Sequence, residues 1–246
     1  MGQSAAQRRR QKSAEMKQRR IREAQRRKAI RTGGLTAVGV LAAGFLGFAG
    51  YMAYDQRTIS GLETYSGLDR THVPEPPDYQ MSPPAGGQHH EQWQNCGVYT
   101  QPITDMHAVH SLEHGAVWIT HSPDLPREEV QTLHTYYTPG DYILISPYTG
   151  DMPDDSDIVL SAWGAQVAVD DPEDERIEKF LRRFEQSNDV PEPGAPCSGM
   201  IDETAPQLEA QGQDTGVDLG EYALDGDDAD ADSADDEDDE GEDEDD

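Results

Sequence analysis

The sequence predicts an α+β fold: one small compact extracytoplasmic domain of about four strands and two helices, behind a single N-terminal transmembrane helix. Three observations lead there. Opposite charge stands on the two sides of one uncharged apolar stretch. Short β-branched and aromatic runs alternate with segments of helical period between Pro and Gly breaks. Both ends are too biased in charge to build a core, which leaves the middle to fold as one domain.

Residues 1–32 hold 12 of the 19 Lys and Arg and few apolar side chains, so they read as a basic cytoplasmic arm. Residues 33–54 are the expected transmembrane helix. No charge falls between Arg31 and Asp55, and within this stretch the 20 residues from Leu35 to Tyr54 at about 1.5 Å rise span roughly 30 Å of hydrocarbon. Tyr51 and Tyr54 suit the headgroup region, and the basic flank stays inside. The expected partner of residues 33–54 is therefore the lipid bilayer, and the expected location is the cell membrane, single-pass, with the N-terminus cytoplasmic and the domain outside. A cleaved signal peptide is the competing reading, but its apolar core is shorter and its charged head briefer.

Residues 55–69 form a spacer, and the Pro-rich run continues through Pro74, Pro76, Pro77, Pro83 and Pro84. The globular domain is expected over 70–198. Ala116-Val117-Trp118-Ile119-Thr120 reads as a buried strand. Asp124-Leu125-Pro126 starts a helix with Glu128 and Glu129 in its first turn and Val130, Leu133 and Tyr137 at helical spacing. Pro139-Gly140-Asp141 ends it and leads to a strand at Tyr142-Ile143-Leu144-Ile145. Two more strands, 158–163 and 166–169, lie around Gly164. Residues 172–185 make the closing helix, with Ile177, Phe180, Leu181 and Phe184 inward.

Residues 199–246 are expected to be an acidic, disordered tail, because residues 225–246 carry 16 acids and no base. Residues 55–200 carry 25 acids against 7 bases, and the whole chain has a formal net charge of -30. Nucleic acid is thereby excluded as a partner of the domain, since phosphate binding needs clustered cations. The acidity matches either a salt-adapted surface or an ordinary acidic secreted one. Protein partner and oligomeric state are not legible.

Six of the eight histidines lie between positions 89 and 121. His110 and His114 are four apart, so in a helix their rings share one face a turn apart, as two ligands of one metal require. Gly115 would end that turn. A third ligand is expected from the upstream pair at His89, giving a metal site of His89, His110 and His114 with Glu113 orienting a histidine from behind. His107 is a spare, and His72, His121 and His134 are given no part. Imidazole suits several transition metals, with copper or zinc the expected ion. The string His110 to His114 also fits H-x-x-E-H, in which the Glu would act on metal-bound water, but no further acidic ligand is singled out and no catalytic residue is assigned. Phosphate loops, the G-x-S-x-G elbow and C-x-x-C are absent.

Cys96 and Cys197 are the only cysteines. Outside the cytoplasm they are expected to form a disulfide joining the two ends of the domain. The alternative is that Cys96 serves as a thiolate ligand.

In Pro83-Pro84-Ala85-Gly86-Gly87-Gln88-His89, Cys96-Gly97-Val98-Tyr99 and His110-Ser111-Leu112-Glu113-His114-Gly115 the chain resembles a family of bacterial membrane-anchored proteins catalogued as a domain of unknown function. The likeness spans roughly residues 68 to 197. The family's first motif reads P-P-T-S-G-P-H, from which this chain departs at Ala85, Gly86 and Gln88, while H-S-L-E-H-G matches in full. The resemblance implies one extracytoplasmic domain behind one anchor and points to His89, His110 and His114. The sequence thus reads as a tethered domain with a histidine-based transition-metal site, acting in metal handling or another envelope process. Its rivals are a non-catalytic interaction module and a metal-dependent hydrolase.

Overall fold

Four five-residue runs form the middle of a six-stranded sheet. They are β3 (Val117–His121), β4 (Ile143–Pro147), β5 (Ile158–Ala162) and β6 (Ala165–Val169), the four strands the sequence predicts. The computed structural model describes residues 5–55 and 58–223, and within 5–55 it describes side chains at 12, 15–30 and 42–51. The chain divides into two units, Met1–Thr58 and Ile59–Asp246.

Sheet order is β1-β6-β5-β3-β4-β2. The margins β1 (Glu63–Thr64) and β2 (Gly97–Val98) are two residues each, and they raise the count from the expected four to six. Two residues are too few to leave a period-2 pattern. β3 runs parallel to β4, and β4 parallel to β2, whereas β5 and β6 are antiparallel to their neighbours. The parallel pair β3 and β4 is bridged by α3 (Arg127–His134), because parallel strands need a crossover too long for a turn.

Alternation along the strands sends side chains to two layers. Val117, Ile119, Ile143, Ile145, Ile158 and Leu160 meet Leu133 of α3 and Ile177, Phe180 and Leu181 of α4 (Glu175–Phe184). Phe184 is only partly buried against the same layer. Asp174 caps α4 by accepting from the Arg176 N–H at 2.8 Å. On the opposite face Trp118 and Leu144 pack with Ala108 and Leu112 of α2 (Asp105–Glu113). That face also holds buried polar groups with partners: the Trp118 indole N–H donates to Ser146 at 3.0 Å and Gln166 donates to Ser161 at 2.9 Å.

Two expected boundaries move. The spacer of 55–69 contains β1, whose Glu63 and Thr64 pair with Gln166 and Ala165, so the folded unit begins at Ile59. The tail expected to be disordered from 199 instead buries Ile201, Ala205, Leu208 and Leu219. It contains α5 (Ala205–Ala210), where the Gln207 side chain accepts from the Thr204 N–H at 2.8 Å. The apolar residues here are too sparse to show a period yet suffice to dock on an existing surface. Residues 224–246, the most acidic part, lie outside the described residues.

The first unit contains α1 (Ala5–Asp55), 51 residues long. Among the described residues no helix is long and apolar enough to cross a membrane. The expected crossing at 33–54 falls largely where only the backbone is described, with Phe45, Leu46, Phe48 and Tyr51 exposed in the part whose side chains are.

Candidate metal centre

Helix α2 lies beneath two straps of chain, residues 87–95 and 192–201, and the histidines gather where the three meet. Gly115 releases the helix into β3 with a φ of +99°, and a Cβ there would come within 3.3 Å of the Gln186 backbone, so glycine is needed on both counts. The Cys96–Cys197 disulfide clamps the straps together, with Cα atoms 5.4 Å apart. Asn95 N–H donates to Ile201 O at 2.7 Å and Cys96 N–H to Cys197 O at 2.7 Å. Both cysteines are thereby consumed, which removes Cys96 as a thiolate ligand.

The expected i, i+4 pair is on one face: the rings of His110 and His114 are 4.6 Å apart. His89 also arrives, its ring 4.8 Å from that of His110. Among the described residues, however, the three are divided between two groups. The donor atoms of His72, His89, His110 and Glu113 lie within 4.8 Å of one another, and a second group within the same limit is His110, His114 and Glu192. His114 belongs to the outer group only, and His110 to both.

Two residues of these groups were not predicted. His72, expected to stand apart, is drawn in by a short parallel bridge to His89, in which Val73 N–H donates to His89 O at 2.8 Å. Its ring is 4.9 Å from His89 and 5.0 Å from His110. The sequence offers no signal for this, since 16 residues of Pro-rich chain separate the pair. Glu192 is carried by the downstream strap, with its N–H donating to Glu113 O at 3.1 Å. Glu113, expected behind a ligand, faces into the inner group itself.

The imidazoles are oriented for coordination. Nδ1 of His89 is 2.8 Å from Gly87 O, Nδ1 of His110 is 2.7 Å from His90 O, and Nδ1 of His114 is 2.7 Å from Pro196 O. A carbonyl only accepts, so each Nδ1 carries the proton and donates it, leaving Nε2 to point into the cluster. His107 is tied in the same way to Gln92 O at 2.7 Å but pairs with His90, 4.7 Å away, outside both groups. His121 and His134 also lie outside them.

Nε2 of His89 is buried without a hydrogen-bond partner among the described residues, yet stands 2.7 Å from Oε2 of Glu113. A ring nitrogen and a carboxylate oxygen at that distance require a cation between them, a proton or a metal ion. Burial, and then the neighbouring His114 and His89, push His110 down to about 4, so this ring keeps its coordinating lone pair through the whole neutral range. Burial raises the Glu113 carboxyl, but the His89 ring against it, with His110 and His72 beyond, outweighs burial and holds it below the ordinary value. The inner group thus presents imidazoles and a carboxylate, borderline-hard donors suited to zinc or copper(II), with no sulfur for a soft ion. Donors of a tetrahedral zinc at about 2.0–2.1 Å lie roughly 3.4 Å apart, so donors now within 4.8 Å of one another would need to close only slightly on an ion.

No curated protein and no solved structure matches this chain. The family described as Protein of unknown function (DUF3105) matches over residues 72–199, a span that takes in His72, the helix α2, both cysteines and Glu192. With just over half of its length matched, the chain belongs to the DUF3105 family of proteins of unknown function.

Proposed function

We propose that the protein binds a divalent transition metal, zinc or copper(II), through His72, His89, His110 and Glu113, and that it handles this ion in the cell envelope. The observation that carries the reading is the buried Nε2 of His89, which faces the Glu113 carboxylate at 2.7 Å and has no other partner among the described residues. Such an arrangement is costly unless a cation occupies it. Four protein donors fill a tetrahedral shell and leave no position for water, which favours holding an ion over hydrolysing a substrate. Glu113 among the donors is also ill placed to act as the separate general base that the H-x-x-E-H reading needs.

The tether belongs to the proposal. Residues 33–54 would lie in the bilayer and residues 1–32 in the cytoplasm, with the domain outside. Support comes from the charge asymmetry about the uncharged stretch, from the exposed Phe45, Leu46, Phe48 and Tyr51, and from the disulfide, which persists in oxidising compartments.

The test is metal content. Full-length protein stripped with chelator and dialysed against Zn2+ or Cu2+ should retain one ion, and His89→Ala should retain none under the same conditions. Absence of binding by the unaltered protein would leave a protein-interaction module as the better account.

A further inference from the structure

The outer group, His110, His114 and Glu192, is not explained by the inner one. Nε2 of His114 stands 3.4 Å from Oε2 of Glu192, and the two side chains are 2% and 52% exposed. Those of His89 and Glu113 are 0% and 4% exposed. Donor atoms therefore descend from a carboxylate at the surface, through His114 and His110, to a carboxylate in the interior.

We infer that His110, His114 and Glu192 form a second, solvent-facing site for the same class of divalent ion, and that one ion passes between the two sites through His110. The inference rests on the metal reading above. Its physical basis is the single lone pair of His110. Nδ1 is committed to His90 O at 2.7 Å, so Nε2 is the only coordinating atom, and it serves one ion at a time. The rings of His89 and His114 flank it at 4.8 and 4.6 Å, near enough for a small ring rotation to exchange one set for the other. The sites are thus alternatives along a path and not a binuclear pair.

The direction follows from ligand number. The outer group supplies three donors and leaves a position for water, so an ion there is held less tightly and exchanges with solvent. The inner group supplies four, three of them buried. Glu192 is the one acid of the outer group, and a negative charge at the mouth of a path raises the arrival rate of cations. His72 is exposed as well, but brings an uncharged ring. Trp93 closes the flank, its ring 5.7 Å from His110 and 4.9 Å from His114. Glu192 also hangs by its backbone from the carbonyl of Glu113, which keeps the outer carboxylate in register with the inner one.

The experiment uses full-length protein in detergent with Co2+ as the probe, following visible absorbance in stopped flow for loading and for release to EDTA. Equilibrium affinity is read by chelator competition. Glu192→Gln, at a side chain 52% exposed, and His114→Ala should both load and release Co2+ about tenfold more slowly or worse, with affinity kept. His89→Ala should lose the tight affinity and keep only weak, quickly exchanging Co2+ binding that does not survive dialysis. Unchanged rates in both Glu192→Gln and His114→Ala would overturn the path. So would two Co2+ bound at once to the unaltered protein, or an affinity loss in His114→Ala as large as that in His89→Ala, which would mean one site. No Co2+ uptake by the unaltered protein overturns the metal reading and this one together, whereas normal affinity with unchanged rates overturns this one alone.

Discussion

His89 and Glu113 meet 2.7 Å apart in the interior, Nε2 against Oε2, while Nδ1 of the same ring is held by the Gly87 carbonyl at 2.8 Å. The ring is thus fixed by its own strap, and only the space between nitrogen and carboxylate is left for a cation.

Removing either member should cost most of the affinity for metal. His89→Ala and Glu113→Gln are each expected to weaken Zn2+ binding by about 100-fold or more, and His72→Ala by less, about tenfold, since its ring is exposed and has no carbonyl tether among the described residues. His134→Ala, on α3, should leave affinity unchanged. Competition with a chromogenic chelator measures all four, and equal losses in His72→Ala and His134→Ala would exclude His72 from the set.

Stability should fall with acidification, and His107 supplies part of the slope. Burial pushes this ring down to about 4, with a smaller contribution from His90 and an opposing one from its bond to Gln92 O. A histidine depressed in the folded state contributes stability that is present above its unfolded value near 6.5 and is lost as pH falls toward 4. The loss is on the order of 3 kcal/mol. Urea unfolding of metal-free protein at intervals from pH 7.5 to 4.5 should show the decline, and His107→Gln should flatten it.

Reduction of the Cys96–Cys197 bond should destabilise the domain by about 2–5 kcal/mol, because it closes a loop with a sequence separation of 101 residues. Thermal unfolding of the Cys96→Ser/Cys197→Ser double variant gives the number. The carbonyl that orients His114 belongs to Pro196, next to the bridge, so metal loading of the same variant should slow as well.

Gly164 turns β5 into β6 at φ +73°, and a Cβ there would stand 2.9 Å from the Tyr65 carbonyl oxygen. Gly164→Ala is expected to cost about 1–3 kcal/mol. Its N–H donates to Ala85 O at 2.7 Å, so the strap that carries Gly87 and His89 should loosen with it. Hydrogen exchange at residues 85–89 would detect this, and protection equal to that of the unaltered protein would rule it out.

Much of this organisation is legible in the sequence where residues act in runs. Val117 to His121 and Ile158 to Ala162 are buried throughout and announce themselves by composition, as does the α4 stripe of Ile177, Phe180 and Leu181. His110 and His114 are legible because helix geometry fixes residues four apart. His72 and Glu192 are not, because what brings them in is a two-residue bridge and a single backbone bond, tertiary contacts with no local pattern. Glu113 was visible as a residue but not in its direction: one position on a helix decides whether a carboxylate stands behind a ligand or beside it.

The sheet ends at both margins in strands of two residues, β1 and β2. Each margin offers a neighbour only a two-residue template, and beyond the end of β1, which pairs only with Ala165 and Gln166, the Arg176 guanidinium donates to the Ala168 carbonyl of β6 at 3.1 Å. Copies at high concentration should therefore resist edge-to-edge association, and the protection would be lost first on the β6 side, where detaching Glu63 and Thr64 together with the Arg176 side chain bares that strand.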